Sequence, residues 1–277
     1  MISFANCKIN LGLNIINKRP DGYHNIETLF FPLHQADLLE VTIPGEELSK
    51  GHDYILKQTG LVVDCPPEKN ILVKALYALK AVRDIPCVYM HLHKQVPMGA
   101  GLGGGSADAA ALVKTLNNIL SLGLSNEEME KILSKVGADC PFFVKNTPAL
   151  ASGIGDILTP IEVNTLKGKY IRLIKPEIHV STAEAYAGVT PSEPQIHIEE
   201  IIKRPISEWM GLLVNDFEKS VFKAHPQLAD IKNWLLDKGA IYAAMSGSGS
   251  TIFGIFDHPF YDECDIIEAA QWTESIE

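Results

Sequence analysis

Read for the order of its apolar and polar positions, the chain switches repeatedly between a two-residue and a 3.6-residue period. Residues 2–15 alternate loosely and predict a strand, with Lys8 and Asn10 on one of its faces. On pattern alone, a strand face carrying lysine and asparagine is a solvated edge. The turn Lys18-Arg19-Pro20-Asp21-Gly22 follows. Its chemistry places Tyr23 and His24 at the start of a second strand running through Phe30, Phe31 and Leu33. Further strands are expected at 37–43, 53–63 and 88–93, with an amphipathic helix at 70–82. In the second half, strands fall at 151–161, 169–174, 240–244 and 252–256. Helices fall within 176–187, behind a Ser181 or Thr182 cap, at 216–222, and at 227–238, where Gly239 stops the last. Such alternation predicts an α/β fold in two domains, residues 1–148 and 149–277, joined at Asn146-Thr147-Pro148.

One stretch breaks the pattern. Pro97-Met98-Gly99-Ala100-Gly101-Leu102-Gly103-Gly104-Gly105-Ser106 gives way abruptly to helix formers, with Ala109, Leu112, Val113, Leu116 and Leu120 on one face and Gly123 as the stop. Glycines admit positive φ and let backbone amides approach a ligand with no Cβ in the way. Feeding a helix N-terminus, they make a site for phosphate, and Ser106 adds a hydroxyl at its mouth. A flexible linker does not continue into a patterned helix. A Walker A loop ends in Gly-Lys-Ser/Thr, and no lysine lies between Lys94 and Lys114. Gly99-x-Gly101-x-x-Gly104 matches the dinucleotide fingerprint, but the acids at the right distance, Glu127 and Glu128, open a helix whose start is a Ser125/Glu128 capping box.

Composition narrows the ligand. A net charge of −10 over 277 residues argues against nonspecific nucleic-acid binding and against an anionic membrane surface. Phosphate must then be held by local amides, lysines and metal. Five scattered cysteines, odd in number and without a Cys-x-x-Cys pair, predict a reduced cytoplasmic protein with neither a disulfide framework nor a zinc site. No signal peptide or anchor is expected. In Gly137-Ala138-Asp139-Cys140-Pro141-Phe142-Phe143 the glycine ends a helix and the proline keeps Cys140 out of the next one. Asp139 is thus carried on a short, stiff connection, where an aspartate caps a turn in most chains.

These stretches together resemble the GHMP kinases. The glycine stretch is similar to the family's phosphate loop, and its triple glycine with Ser106-Ala107-Asp108-Ala109-Ala110 is closest to the branch acting on a cytidine-diphosphate-linked methylerythritol. Asn6-Cys7-Lys8-Ile9-Asn10-Leu11, Asp21-Gly22-Tyr23-His24, Gly137 to Phe143, Gly153-Ile154-Gly155-Asp156, Asn215-Asp216-Phe217-Glu218 and Met245 to Gly254 resemble further motifs, in the family's order. Cys7 stands where the family has alanine and Asp156 where it has glutamate; the last 20 residues match nothing. The resemblance implies an N-terminal domain with the phosphate loop, a ferredoxin-like C-terminal domain, and an active site in the cleft between them. It implies Asp139 as base toward a substrate hydroxyl with Lys8 beside it, inverting the bland readings of both residues. It also implies ATP, with Mg²⁺, held by Pro97, Gly99, Ala100, Gly101, Leu102, Gly103, Gly104, Gly105 and Ser106, with Asn70 and Lys94 near the adenosine. Asn10, Tyr23, His24, Thr182 and Tyr186 are expected to bind the substrate, Tyr23 and Tyr186 sandwiching its base and His24 reading the base edge. The metal ligands and the oligomeric state are left open.

Overall fold

Two long strands, β1 (Ile2–Lys18) and β2 (His24–Thr42), pair at the start of the chain in the computed structural model, which describes residues 1–277. Both strands have one part in each of two compact units. The first unit is Met1–Cys7, Leu33–Met98 and Gly103–Thr147; the second is Lys8–Pro32, Gly99–Leu102 and Pro148–Glu277. The division is therefore not a single cut between residues 148 and 149. Strands of 17 and 19 residues outrun either unit, and the glycine stretch is also divided, at Leu102–Gly103.

In the first unit a single helical turn, α1 (Glu46–Ser49), precedes strand β3 (Tyr54–Gly60). β3 pairs in parallel with β4 (Val88–Lys94), which lies antiparallel to the Leu38–Thr42 end of β2. β4 alternates strictly: Val88, Met90, Leu92 and Lys94 are buried, and the residues between them are half-buried. A lysine therefore occupies a core position by parity alone. Helix α2 (Ile71–Lys80) packs along α3 (Gly104–Ile119), and α4 (Asn126–Leu133) and the short α5 (Phe142–Lys145) also pack on α3. The capping box expected at Ser125 and Glu128 opens α4, with both reciprocal bonds present.

In the second unit, the predicted strand 151–161 is a hairpin, β5 (Ala149–Ser152) and β6 (Ile157–Pro160), with β5 also paired to Thr28–Phe30 of β2. Gly153 and Gly155 adopt φ of +66° and +101° in the connecting turn, conformations that a continuous strand cannot contain. A second sheet is formed by β7 (Tyr170–Pro176), β8 (Tyr242–Met245), β9 (Ile252–Phe256) and β10 (Ala269–Ser275) in the order β10-β7-β9-β8, antiparallel throughout. Between β7 and β8 run α6 (Thr182–Ala187), α7 (Ile198–Ile201), α8 (Glu218–Ala224) and α9 (Pro226–Asp237). Numbered within this sheet, the order 4-1-3-2 is the ferredoxin-like arrangement, with one departure: residues 257–268, leading into the fourth strand, contain no helix. Leu228, Ile231 and Leu235, at helical spacing on α9, close the core against Ile174, Ala243, Met245 and Ile252.

Candidate active site

Gly99 and Gly101 have φ of +60° and +73°. A Cβ on Gly101 would stand 1.9 Å from the carbonyl oxygen of Ser246, so only glycine fits there. Three bonds stitch this half of the glycine loop into the second unit. The amide of Lys8 donates to the Leu102 carbonyl at 2.9 Å, the amide of Thr251 donates to Ala100 at 3.3 Å, and Ser246 Oγ donates to Gly101 at 2.8 Å. Ser246 Oγ also accepts the Asn10 amide at 3.1 Å. The Ser-Gly loop that supplies these contacts is itself pinned. Asn215 Nδ2 donates to the carbonyls of Met245 (2.7 Å) and Gly247 (2.8 Å), and Glu218 accepts the Met245 amide at 2.8 Å.

Lys8 and Asn10 are each only 3% exposed, so the strand face that patterning assigned to solvent is buried. The glycine and Ser-Gly loops meet β1 where open water was expected. Lys8 Nζ donates to Asn10 Oδ1 at 2.5 Å and sits 4.7 Å from the centroid of the Phe30 ring; Asn10 Nδ2 donates to Thr28 Oγ1 at 2.9 Å. Two polar groups two residues apart are thereby held in fixed geometry inside an apolar wall, as a binding site requires and an edge strand does not.

In the first unit Gly103, at φ +67°, is the N-cap of α3, with no side-chain cap and no acid in the first turn. The amides at this helix end are left for a ligand, together with the positive end of the helix dipole. Packing also requires Gly104 to be small. A Cβ there would meet Val96 Cγ1 at 2.9 Å and Lys94 Nζ at 3.1 Å, whereas one on Gly105 would find only Ile71, at 3.7 Å. Ser106 hydrogen-bonds the Cys140 thiol, and its Oγ lies 4.0 Å from where a Cβ on Gly137 would stand. The turn carrying half-buried Asp139 is thus packed against the first turn of α3. Burial pushes the Cys140 thiol up to about 11, which leaves it an inert neighbour rather than a nucleophile.

Lys94 and Asn70, expected near the adenosine, have side chains held by the protein itself. Lys94 is 1% exposed, and its ammonium is ion-paired with Asp37 and, at 2.9 Å, with Asp108. Asn70 is buried and caps α2, its Oδ1 accepting the Leu72 amide at 3.0 Å. Both side chains are committed to the fold; parity on β4 and the start of a helix explain why. Of the substrate residues, Thr182 and Tyr186 lie one turn apart on α6, with Ser181 as the cap. The ring on Tyr186 is that of His24, stacked at 4.8 Å and 20°, while Phe217 meets Tyr186 edge-on at 4.9 Å. Tyr23 is 60% exposed, at the tip of a turn closed by Arg19 and Asp21, so the expected Tyr23–Tyr186 sandwich is not the arrangement found. Successive residues of an extended chain point opposite ways, which brings His24 rather than Tyr23 onto Tyr186.

Two family descriptions fit this chain in sequence order: "GHMP kinases N terminal domain" over residues 70–147 and "GHMP kinases C terminal" over residues 198–261. The chain belongs to the GHMP kinase family. Among curated relatives of this GHMP kinase, a 4-diphosphocytidyl-2-C-methyl-D-erythritol kinase of Parabacteroides distasonis is 51% identical over 94% of this chain and 93% of its own. The protein of that name from Bacteroides fragilis is 50% identical over 92% of each chain. A crystal structure of 4-(cytidine 5'-diphospho)-2C-methyl-D-erythritol kinase aligns with a TM-score of 0.74 at 30% identity, covering 92% of this chain and 89% of the other. A mevalonate kinase structure aligns with a TM-score of 0.67 at 14% identity, over 92% and 91%, a likeness of fold alone.

Sequence reading gave no role to four groups that shape this GHMP kinase's loops: Asp37, Asp108, Ser246 and Asn215. One of them, Asp108, left a signal. Lys94 on the core face of a strand and Asp108 among the buried residues of α3 are charges at apolar positions, and each calls for the other.

Proposed function

We propose that this chain transfers the γ-phosphate of ATP to the 2-hydroxyl of 4-diphosphocytidyl-2-C-methyl-D-erythritol. The observation that carries the reading is the meeting, within one unit, of an uncapped, acid-free helix start and the turn bearing Asp139. A phosphate-binding end thereby stands beside a carboxylate. The names and high identity of the relatives support the substrate. The glycine cradle fits ATP, since positive φ at Gly99, Gly101 and Gly103 brings backbone into the space where side chains would otherwise project. ATP supplies the phosphoryl group.

Phosphoryl transfer runs through a loose transition state, so the chain's own contribution is placement and charge. The amides of Gly103 to Ser106 and the α3 dipole hold the phosphates. Asp139 aims the substrate hydroxyl and accepts its proton, and Lys8, fixed by Asn10 and Phe30, contributes a desolvated cation. Tyr23, His24, Thr182 and Tyr186 bind the cytidine end, with His24 on the base edge once its ring leaves Tyr186. No group of three or more His, Cys, Asp or Glu side chains is gathered for a metal. Mg²⁺, when bound with the nucleotide, would supply neutralisation of the phosphate charge.

The test is ADP release from ATP with a panel of acceptors. The cytidine-linked methylerythritol should support turnover at least a hundredfold faster than mevalonate or homoserine. Turnover with either of those and none with the cytidine compound would overturn the substrate assignment.

A further inference from the structure

Behind the glycine loop lies a charge cluster that none of these roles uses. Lys94, Asp37 and Asp108 are at most 1% exposed. One ammonium faces two carboxyl groups, and the two are not equivalent. Asp37 is fully engaged: one oxygen pairs with Lys94, and the other accepts the amides of Gln95 at 2.5 Å and Val96 at 2.8 Å. Asp108 meets Lys94 with Oδ2 at 2.9 Å and lies within hydrogen-bond reach of the Asp37 carboxyl, a contact that only a protonated acid favours, while its Oδ1 is buried without a hydrogen-bond partner. Asp37 from β2 and Lys94 from β4 are the charged groups that face it. The buried faces of α2, α4 and α5, which also pack on α3, bring apolar side chains. Lys94 and Asp37 already cancel, so an ionised Asp108 would leave one uncompensated negative charge in the interior.

Its position makes that charge matter. Asp108 lies four residues past Gly104, about 6 Å along the axis of the helix whose first turn is read above as the phosphate site. A carboxylate there and a phosphate at the helix end would draw on the same positive dipole end and repel each other.

We infer that Asp108 is a positioning residue that serves the phosphate site as a neutral acid, so that its ionisation and the binding of nucleotide oppose each other. The inference rests on the reading of the glycine loop as an ATP site. Burial pushes the Asp108 carboxyl up to about 8 against the pull of Lys94, so the switch falls within reach of experiment. At an effective dielectric of about 20, a unit charge about 8 Å from a phosphate charge changes affinity by on the order of tenfold after solvent screening. Linkage is reciprocal: binding of ATP must raise the proton affinity of Asp108 and draw in a proton.

The experiment is calorimetric titration of the whole protein with ATP from pH 6.5 to 9.5. At pH 8.5 it is run in two buffers of different ionisation enthalpy. The wild-type dissociation constant should rise about tenfold across the alkaline range, with net proton uptake at pH 8.5. Asp108→Asn, which keeps the shape of the neutral acid, should bind at every pH as the wild type does at pH 6.5 and take up no proton. A purely structural role would move the melting temperature but not the proton count. An Asp108→Asn profile matching the wild type overturns the inference. Wild-type binding at pH 8.5 without proton uptake overturns it even if the variant fails to fold. Absence of ATP binding at every pH overturns the ATP reading itself, and this inference with it.

Discussion

Replacing Gly101 by alanine perturbs the loop at its tightest point. The new Cβ would lie 1.9 Å from the Ser246 carbonyl oxygen and 2.8 Å from its carbon, both backbone atoms that cannot rotate away. Restoring an ordinary contact of about 3.4 Å requires the two loops to part by roughly 1.5 Å. The residue must also hold φ near +73°, which costs an alanine about 1 kcal/mol. Separation breaks the bond from Ser246 Oγ to Gly101 and strains that from Thr251 to Ala100, about 1 kcal/mol each. The native loop is thereby disfavoured by about 3 kcal/mol, which leaves on the order of one molecule in a hundred competent to bind. ATP affinity measured by calorimetry should fall about a hundredfold, while circular dichroism shows the fold retained. Gly105→Ala is the control. That residue is helical, its Cβ meets only Ile71 at 3.7 Å, and the variant should bind ATP within about threefold of wild type and melt slightly higher. Normal ATP binding by folded Gly101→Ala would refute the claim that this contact shapes the site.

Further outcomes follow from the same geometry. Asp139→Asn cannot accept the substrate proton, so turnover should fall by roughly two to four orders of magnitude while calorimetric ATP affinity stays near wild type. Asn215→Ala strips two buried carbonyls of their donor, and thermal melts should show about 2–4 kcal/mol lost. Steady-state kinetics of Tyr23→Ala should show a raised KM for the cytidine substrate with the KM for ATP unchanged; His24→Ala should narrow the preference for cytidine over uridine compounds. Because the Asp108 carboxyl is raised from 3.8 to about 8, the native state keeps a proton that the unfolded chain releases. Stability therefore falls as pH rises through that interval. Melting temperatures of Asp108→Asn between pH 5 and 8 should decline less than those of the wild type.

Where local chemistry decides the structure, the chain could be read directly. Ser125 and Glu128 do form a capping box, Gly239 takes the left-handed conformation that ends α9, and the α9 spacing does define a core face; α3 stops earlier than its glycine suggested, at Ile119, with Ser121 rather than Gly123 as the left-handed residue after the cap. Long-range contact was harder to see. Lys8 and Asn10 looked solvated because the loops that cover them come from residues 101 and 246, far along the chain. Resemblance alone puts Lys94 near the adenosine, and its ion pairs were hidden because Asp37 is 57 positions away and Asp108 is 14. β10 escaped because it is half-polar; Gln271 and Thr273 bond to Arg172, so its inward positions do not read as apolar. That His24 rather than Tyr23 stacks on Tyr186 turns on a single step of strand parity, which no composition records.

³¹P nuclear magnetic resonance of the reaction mixture observes where the transferred phosphoryl group goes. With ATP, Mg²⁺ and 4-diphosphocytidyl-2-C-methyl-D-erythritol, one new phosphomonoester signal should grow in step with ADP, carbon-coupled to the 2-position of the erythritol, and should grow far more slowly with Asp139→Asn. Release of ADP with inorganic phosphate alone, or a phosphomonoester on another hydroxyl, would contradict transfer to the 2-hydroxyl.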